Sequence, residues 1–212
     1  MSEIHVENVD LVLERTLILN KINMVIKENE ITAFVGRNGS GKTMLMKCIC
    51  GFVKPTSGCI RVDNATVGKD MDFIRNAGIM IETPGFMRQY SGRKNLWLLA
   101  SLNKRITKEQ VAESMQKVGL DPKLKRHVGK YSLGMRQRLG IAQAIMENPD
   151  ILILDEPMNG LDNQGVEDIR RLLLDLKEQG KTILIASHNR EDIDILCDHV
   201  WEMERGSARQ VI

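Results

Sequence analysis

The chain has 212 residues, of which 42% are hydrophobic and 27% charged, and a formal net charge of +2, which is the composition of an ordinary globular protein with ample length for a core. Apolar runs such as Ile151–Leu154 are far shorter than the roughly 20 residues that span a bilayer, and the polar, acidic N-terminus is unlike a signal peptide. The sequence therefore predicts a cytosolic protein that would depend on another chain for any membrane span.

Basic residues are concentrated in one part of the chain. Residues 83–149 hold 13 Lys and Arg against 4 Asp and Glu, a net charge of +9, which leaves −7 for the remainder. Such asymmetry can mark a nucleic-acid surface. Aromatic side chains for base stacking are scarce there, so we favour a solvated helical face that also meets phosphates, and we expect no nucleic acid as a partner.

The four cysteines belong to no CxxC motif and to no Cys/His cluster with metal-ligand spacing. We interpret all of them as core or indifferent thiols of a reducing compartment. They are Cys48, Cys50, Cys59 and Cys197.

The first part of the chain predicts a small sheet. Apolar residues recur with alternation between Ile4 and Ile26 and are interrupted at Glu14-Arg15, which predicts strands joined by a turn at that pair. The apolar run Ile31–Val35 predicts a further strand, and Met44–Ile49 has helical spacing. A glycine-rich loop lies between these last two elements.

This loop matches the pattern GxxxxGK[ST] at every fixed position, with the residues Gly36, Arg37, Asn38, Gly39, Ser40, Gly41, Lys42 and Thr43. Its glycines allow successive backbone N–H groups to point at one anion, and the following helix adds the positive end of its dipole. Lys42 can reach the β- and γ-phosphates, and the Thr43 hydroxyl can bind Mg²⁺. The alternative is a chance glycine-rich turn, but the complete motif with correct flanks favours a nucleoside triphosphate site.

The remaining elements follow in two blocks. Strands are predicted at residues 59–62 and 79–81, then helices that start near Ser91, Thr107 and Ser132. Strands return at residues 151–154 and 182–186, with a helix over roughly 164–179 between them. The pattern is that of an α/β nucleotide-binding core, residues 1–83 and 150–212, with a helical insert at residues 84–149, all in a single domain over residues 1–212.

Two of the apolar strands end on polar residues. In an open α/β sheet, ligands bind at the carboxyl ends of the strands. Asp155 is then placed to hold Mg²⁺, and Glu156 to orient and deprotonate a water for attack on the γ-phosphate. His188 follows the other strand and could sense or stabilise the γ-phosphate. The alternatives are a helix N-cap for the acidic pair and, for the histidine taken alone, a structural role.

Ser132 is a good N-cap, and the backbone N–H groups after it form a second anion site. Because the glycine-rich loop already holds one triphosphate, a second site of this kind suggests that it serves a triphosphate bound to another copy.

Taken together, these motifs resemble the ATP-binding subunit of ABC transporters over about residues 4–206. Residues 36–43 match the Walker A motif, residues 154–157 match Walker B with its catalytic glutamate, residues 159–162 match the D-loop, and Ser187-His188 match the switch histidine. Tyr131-Ser132-Leu133-Gly134-Met135 stands in the place of the signature LSGGQ. The resemblance implies a RecA-like P-loop NTPase core with an N-terminal antiparallel β subdomain and a helical signature subdomain.

Three departures from the family pattern carry information. The signature keeps Ser132 and Gly134 but reads YSLGM, and Glu82 stands where the Q-loop glutamine and its contact to the metal are expected. Both features resemble the subgroup that exports, or confers immunity to, bacitracin- and lantibiotic-type peptides. Leu13 falls near the position of the adenine-stacking aromatic residue, which suggests that GTP is tolerated beside ATP.

The resemblance implies a head-to-tail homodimer or heterodimer with ATP and Mg²⁺ as cofactors. Each ATP would lie between Lys42, Thr43 and Asp155 of one subunit and Ser132 and Gly134 of the other. Closure and opening of the dimer would drive a separate transmembrane permease, through which the cassette would be peripheral on the inner face of the cell membrane. Candidates for the groove that grips the permease are Phe86, Met87 and Tyr90, for which ordinary packing under a loop is the alternative.

Two other classes of function are weighed against transport. A soluble ABC ATPase acting on ribosomes or nucleic acid would fit the basic insert, but such proteins usually carry two cassettes or long coiled-coil insertions. A nucleotide-dependent module without hydrolysis is disfavoured because Glu156 and His188 are both present.

Overall fold

The computed structural model describes residues 3–82 and 84–212. Its strands are β1 (Ile4–Leu13), β2 (Thr16–Ile26), β3 (Ile31–Val35), β4 (Ser57–Val62), β5 (Ala65–Thr66), β6 (Ala77–Met80), β7 (Ile151–Asp155), β8 (Thr182–Ala186), β9 (His199–Glu204) and β10 (Ser207–Gln210). Its α-helices are α1 (Lys42–Cys50), α2 (Gly92–Asn103), α3 (Lys108–Lys117), α4 (Leu133–Ile145), α5 (Asn163–Glu178) and α6 (Arg190–Leu196), and a 3₁₀ turn covers Val128–Lys130.

The strands form two sheets. One is antiparallel with the order β2-β1-β4-β5, and the other has the order β10-β9-β3-β8-β7-β6. In the second sheet β9, β3, β8, β7 and β6 run parallel, and only β10 pairs antiparallel, with β9. The carboxyl ends of four neighbouring parallel strands therefore meet at one edge, where the segments after β3, β6, β7 and β8 lie side by side.

Both faces of the parallel sheet are covered, which explains why its strands are apolar without alternation. Successive residues point to opposite faces: Ala33 faces the core formed with α2, α3, α4 and α5, whereas Phe34 faces the core formed with α1 and the antiparallel sheet. Both residues are fully buried. The helical insert thus shares its core with one face of the sheet and is held against it.

The main predictions of architecture are confirmed. The α/β class and the N-terminal antiparallel sheet are present, and Glu14 and Arg15 form the predicted turn with φ of 47° and 66°. Ser91 caps α2, and Thr107 with Gln110 forms a capping box at α3. The strand predicted at residues 79–81 instead spans Ala77–Met80. The subdomain boundaries at 83/84 and 149/150 stay a prediction.

The sequence interpretation missed the C-terminal part of the fold. It placed no element after residue 186, where the structure has α6, β9 and β10. The short strand β5 was also missed. Among the described residues, no helix combines the length and the apolar character needed to cross a bilayer.

Candidate functional site

The glycine-rich loop runs from the end of β3 to the start of α1 and forms the floor of a cleft of about 350 Å³. The cleft is lined by Ile18, residues 38–44, Asp155 and Glu156. A second cavity, of about 450 Å³, lies on the other side of the loop against residues 202–205 and includes Gly36 and Arg37. All eight residues of the motif therefore line one of two cavities that meet at the loop.

Two glycines are required by the backbone at this point. Gly36 has φ of 147°, and a Cβ there would collide with the carbonyl oxygen of Met203 on β9. Gly41 precedes α1 with φ of 108°, in the left-handed region that favours glycine. Glycine at these two positions lets the loop curl close to β9 and enter the helix directly.

The loop fits an anion. Gly41 offers no side-chain cap, so the first N–H groups of α1 have no partner within the helix and are left for a ligand. The Ser40 hydroxyl is buried and makes no hydrogen bond. Lys42 is 7% exposed, and its Nζ donates to the carbonyl oxygens of Gly36 at 2.6 Å and Arg37 at 3.2 Å, which keeps the cation inside the loop.

The predicted metal-binding pair is in contact. The Thr43 hydroxyl donates to Oδ2 of Asp155 over 2.8 Å, which joins the first turn of α1 to the end of β7. Within the described residues there is no cluster of three or more His, Cys, Asp or Glu side chains able to hold a metal by themselves. The Thr43–Asp155 pair offers oxygen ligands, and Mg²⁺ is usually bound by one or two protein oxygens together with phosphates and waters.

Glu156 and His188 also lie together. Nδ1 of His188 is 2.9 Å from Oε2 of Glu156, and the side chains are 72% and 26% exposed, respectively. Asp155 pairs with Ala186 across β7 and β8, so the residues that follow these strands emerge at the same level. The structure thus brings together Lys42, Thr43, Asp155, Glu156 and His188.

Glu82 is near this group but is bonded elsewhere. Its Oε1 lies 2.6 Å from Nζ of Lys47, and its side chain is 63% exposed. Lys47 is one helical turn beyond Thr43 on α1, so the side chains of Thr43 and Lys47 share a face of the helix. The predicted metal contact of Glu82 stays a prediction.

The predicted second anion site lies away from the cleft. Ser132 caps α4, its Oγ accepting from the N–H of Met135 at 3.1 Å, and is exposed. A Cβ on Gly134 would lie 2.8 Å from the carbonyl oxygen of Gly160. Neither Ser132 nor Gly134 lines the cleft of its own chain.

Sequence reasoning missed three contributors to the site. Gln137 on α4 donates from Nε2 to the carbonyl oxygen of Glu156 at 2.8 Å, and Lys47 holds Glu82. The N–H of Gly206, in the β9–β10 turn, donates to the carbonyl oxygen of Ser40 at 3.1 Å. The pair Arg205-Gly206 between alternating residues was a usable turn signal, whereas nothing in the pattern around Gln137 indicated its partner.

Comparisons with known proteins agree with this geometry. The model of the ABC transporter family matches residues 19–159. The ABC transporter ATP-binding protein YybJ of Bacillus subtilis is 40% identical over 203 residues, which cover 96% of this chain and 93% of YybJ. The bacitracin transport ATP-binding protein BcrA of Bacillus licheniformis is 40% identical over 92% of this chain, which spans only 64% of BcrA. The lantibiotic transport ATP-binding protein SrtF of Streptococcus pyogenes is 35% identical over 89% of this chain and 81% of SrtF.

Solved structures show the same fold. A dimeric bacterial ABC transporter cassette superimposes with a TM-score of 0.90 at 25% identity, covering 98% of this chain and 97% of that one. The same cassette in a post-hydrolysis state, bound to ADP and phosphate, has a TM-score of 0.89 at 23% identity and equal coverage. The chain belongs to the ABC transporter family, as an ATP-binding and ATP-hydrolysing cassette.

Proposed function

We propose that this cassette hydrolyses Mg·ATP with Glu156 as the general base and couples the reaction to a separate membrane permease. The observation that carries the proposal is that four segments, those after β3, β6, β7 and β8, meet at one edge of the parallel sheet. There the Thr43–Asp155 contact is 2.8 Å long and the Glu156–His188 contact is 2.9 Å long. One end of this arrangement can hold a metal and the other can orient a water.

Each side chain then has a separate task. The loop N–H groups and Lys42 hold the β- and γ-phosphates, while Thr43 and Asp155 hold the metal. When bound, Mg²⁺ would neutralise charge on the transferring phosphoryl group. Glu156 takes a proton from the attacking water, and His188 orients the carboxylate and faces the γ-phosphate. Glu82 is proposed as a further contact to the metal, reached after it leaves Lys47.

The site is completed by a second copy. Ser132 and Gly134 present an exposed helix N-terminus, which favours an anion, and neither residue lines the cleft of its own chain. We propose that they bind the γ-phosphate held by the partner's loop. The dimeric form of a cassette with the same fold supports this arrangement.

A groove of about 990 Å³ between the β6 edge and the helical insert is the proposed seat of the permease. Its apolar rim includes Phe52, Phe73, Leu99 and Leu102, which are 51%, 57%, 39% and 77% exposed. Exposed apolar side chains grouped in this way mark an interaction surface. The occupant that we propose is an amphipathic cytoplasmic helix of the permease.

The groove differs from the one predicted from sequence. Phe86 packs against the core, and Tyr90 carries the Nζ of Lys94 over its ring at 3.6 Å. The N–H of Met87 donates to Oδ1 of Asn95 at 2.7 Å, although the Met87 side chain is 41% exposed. None of the three predicted residues lines the groove. For Phe86 the structure therefore favours the alternative of ordinary packing.

The proposed cargo is a peptide antibiotic or a similar compound. It would be exported by the permease, to which the cassette binds at the inner face of the cell membrane. The proposal is supported by relatives named for bacitracin and lantibiotic transport and by Glu82 and the YSLGM signature. Action on ribosomes or nucleic acid is the less favoured alternative, because these relatives are named for transport.

The test of this function is hydrolysis by the Glu156→Gln variant. It should bind Mg·ATP as the wild type does but lose about 100-fold or more in kcat, since a general base contributes roughly 10²–10⁴-fold. The control for loss of a carboxylate is Glu147→Gln, since Glu147 does not line the cleft. Wild-type turnover by Glu156→Gln would refute the assignment, and copurification of RNA or DNA in place of a polytopic membrane protein would refute the transport role.

A further inference from the structure

Gln137 lies in the first turns of α4 and reaches across to the end of β7. Its Nε2 donates to the backbone carbonyl oxygen of Glu156 over 2.8 Å. The same oxygen accepts from the N–H of Asn159 at 3.1 Å. Both acceptor positions of this carbonyl are therefore filled, one by the local turn and one by a side chain from the helical insert.

The backbone at Glu156 needs such support. Its φ is +49°, in the left-handed region that a residue with a side chain rarely adopts. Conformations of this kind persist only where the surrounding structure holds them, and they are concentrated at functional sites. The N–H of Glu156 donates to the carbonyl oxygen of Ala186 at 2.9 Å. The bond from Gln137 fixes the peptide group on the other side of the same residue, and so the backbone from which the carboxylate side chain departs.

The start of α4 touches the same segment at a second place. Leu133 packs against Gly160, since a Cβ on Gly160 would collide with the Leu133 side chain, and Gly134 approaches the Gly160 carbonyl. The helix end that carries Ser132 is thus joined to residues 156–160 by a hydrogen bond and by packing. A displacement of this helix end would act on the backbone of Glu156.

We propose that Gln137 is a positioning residue for Glu156, which joins the helix end that carries Ser132 to the segment that carries the base. This inference rests on the proposed function.

The experiment compares Gln137→Leu and Gln137→Glu in the full chain with Mg·ATP. Both lose the amide donor, and Gln137→Glu keeps the size and shape of the side chain. We expect kcat to fall at least tenfold, while KM and the affinity for a fluorescent ATP analogue stay within twofold, because the bond positions the base and does not touch the nucleotide. Gln116→Leu, an exposed glutamine on α3, is the control and should behave as wild type.

A second measurement separates positioning from a purely structural role. In the Glu156→Gln background, adding Gln137→Leu should change the residual turnover by less than twofold, because Gln137 acts through the base that is already missing. A further fall of tenfold in that background would overturn the proposal. So would kcat within twofold of wild type in both single variants, or a matching loss of nucleotide affinity. Wild-type turnover by Glu156→Gln itself would instead refute the proposed function.

Discussion

His188 contacts Glu156 because of the register between two parallel strands. Asp155 is paired with Ala186 across β7 and β8, so Glu156 and the residues after Ala186 leave the sheet together. Nδ1 of His188 lies 2.9 Å from Oε2 of Glu156, and the ring is otherwise largely exposed. The strand register thus brings a carboxylate and an imidazole together beside the phosphate loop.

Replacing His188 by alanine should lower kcat and leave nucleotide binding unchanged. Without the imidazole, the Glu156 carboxylate loses its partner and its orientation, and we expect about a 100-fold loss of kcat, at the low end for acid–base groups. Steady-state ATPase assays and titration with a fluorescent ATP analogue separate the two quantities. The control is His127→Ala, at an exposed position on the helical insert, which should retain wild-type kcat. Wild-type kcat in His188→Ala would exclude His188 from the mechanism.

Asp155→Asn should change the dependence on Mg²⁺. The Thr43 hydroxyl keeps an acceptor, but the site loses the negative charge that attracts the cation. We expect the Mg²⁺ concentration for half-maximal hydrolysis to rise about tenfold, which corresponds to about 1.4 kcal/mol. Asp150→Asn, just before the opposite end of β7, serves as the control. An unchanged Mg²⁺ titration for Asp155→Asn would exclude a metal contact by this carboxylate.

Base selectivity should be weak. Leu13 is 40% exposed at the tip of the β1–β2 hairpin, and the cleft lining contains Ile18 but no aromatic residue among the described ones. Without an aromatic residue to stack on the base, discrimination between adenine and guanine depends on few hydrogen bonds, each worth about 1 kcal/mol. We expect kcat/KM for ATP and GTP to agree within about tenfold. Leu13→Tyr should tighten both nucleotides by about fivefold or more through stacking; a wild-type preference for ATP above 100-fold would contradict this account.

Three of the four cysteines, Cys48, Cys50 and Cys197, should be inert in the folded protein. Burial raises the pKa of Cys48 and Cys50 to about 12, and burial beside Asp198 raises the pKa of Cys197 to about 12. Because the thiolate is the reactive form and a raised pKa suppresses it until the pH approaches that value, these thiols should resist a disulfide reagent at pH 8. We expect at most one thiol, Cys59, to react quickly, and all four after denaturation. Rapid reaction of Cys48 or Cys50 in the native protein would contradict the packing of α1.

The sequence could predict those parts of the site that depend on local chemistry. The phosphate loop has its own backbone requirements, and Asp155 and Glu156 end a strand that is apolar because both its faces are covered. The caps Ser91, Thr107 and Ser132 are local as well. Each of these features is determined within a few residues, so a pattern can reveal it.

The parts that the sequence could not predict depend on contacts between distant residues. Gln137 finds the Glu156 carbonyl only after α4 packs beside β7, and Lys47 finds Glu82 only because β6 lies at the sheet edge near α1. The strands β9 and β10 are short and partly exposed, so their apolar pattern is weak, yet their turn supports the phosphate loop through Gly206. Likewise, the apolar rim of the groove gathers side chains from separate segments of the chain.

The most direct test of the composite site is the molar mass of the Glu156→Gln protein in solution, measured by size-exclusion chromatography with light scattering. This variant should remain a 24.0 kDa monomer without nucleotide and become a dimer with Mg·ATP, because hydrolysis no longer reopens the site. Adding Ser132→Arg should return it to a monomer that still binds ATP. A monomer at saturating Mg·ATP, or a dimer that Ser132→Arg leaves intact, would contradict the claim that each chain supplies half of a site.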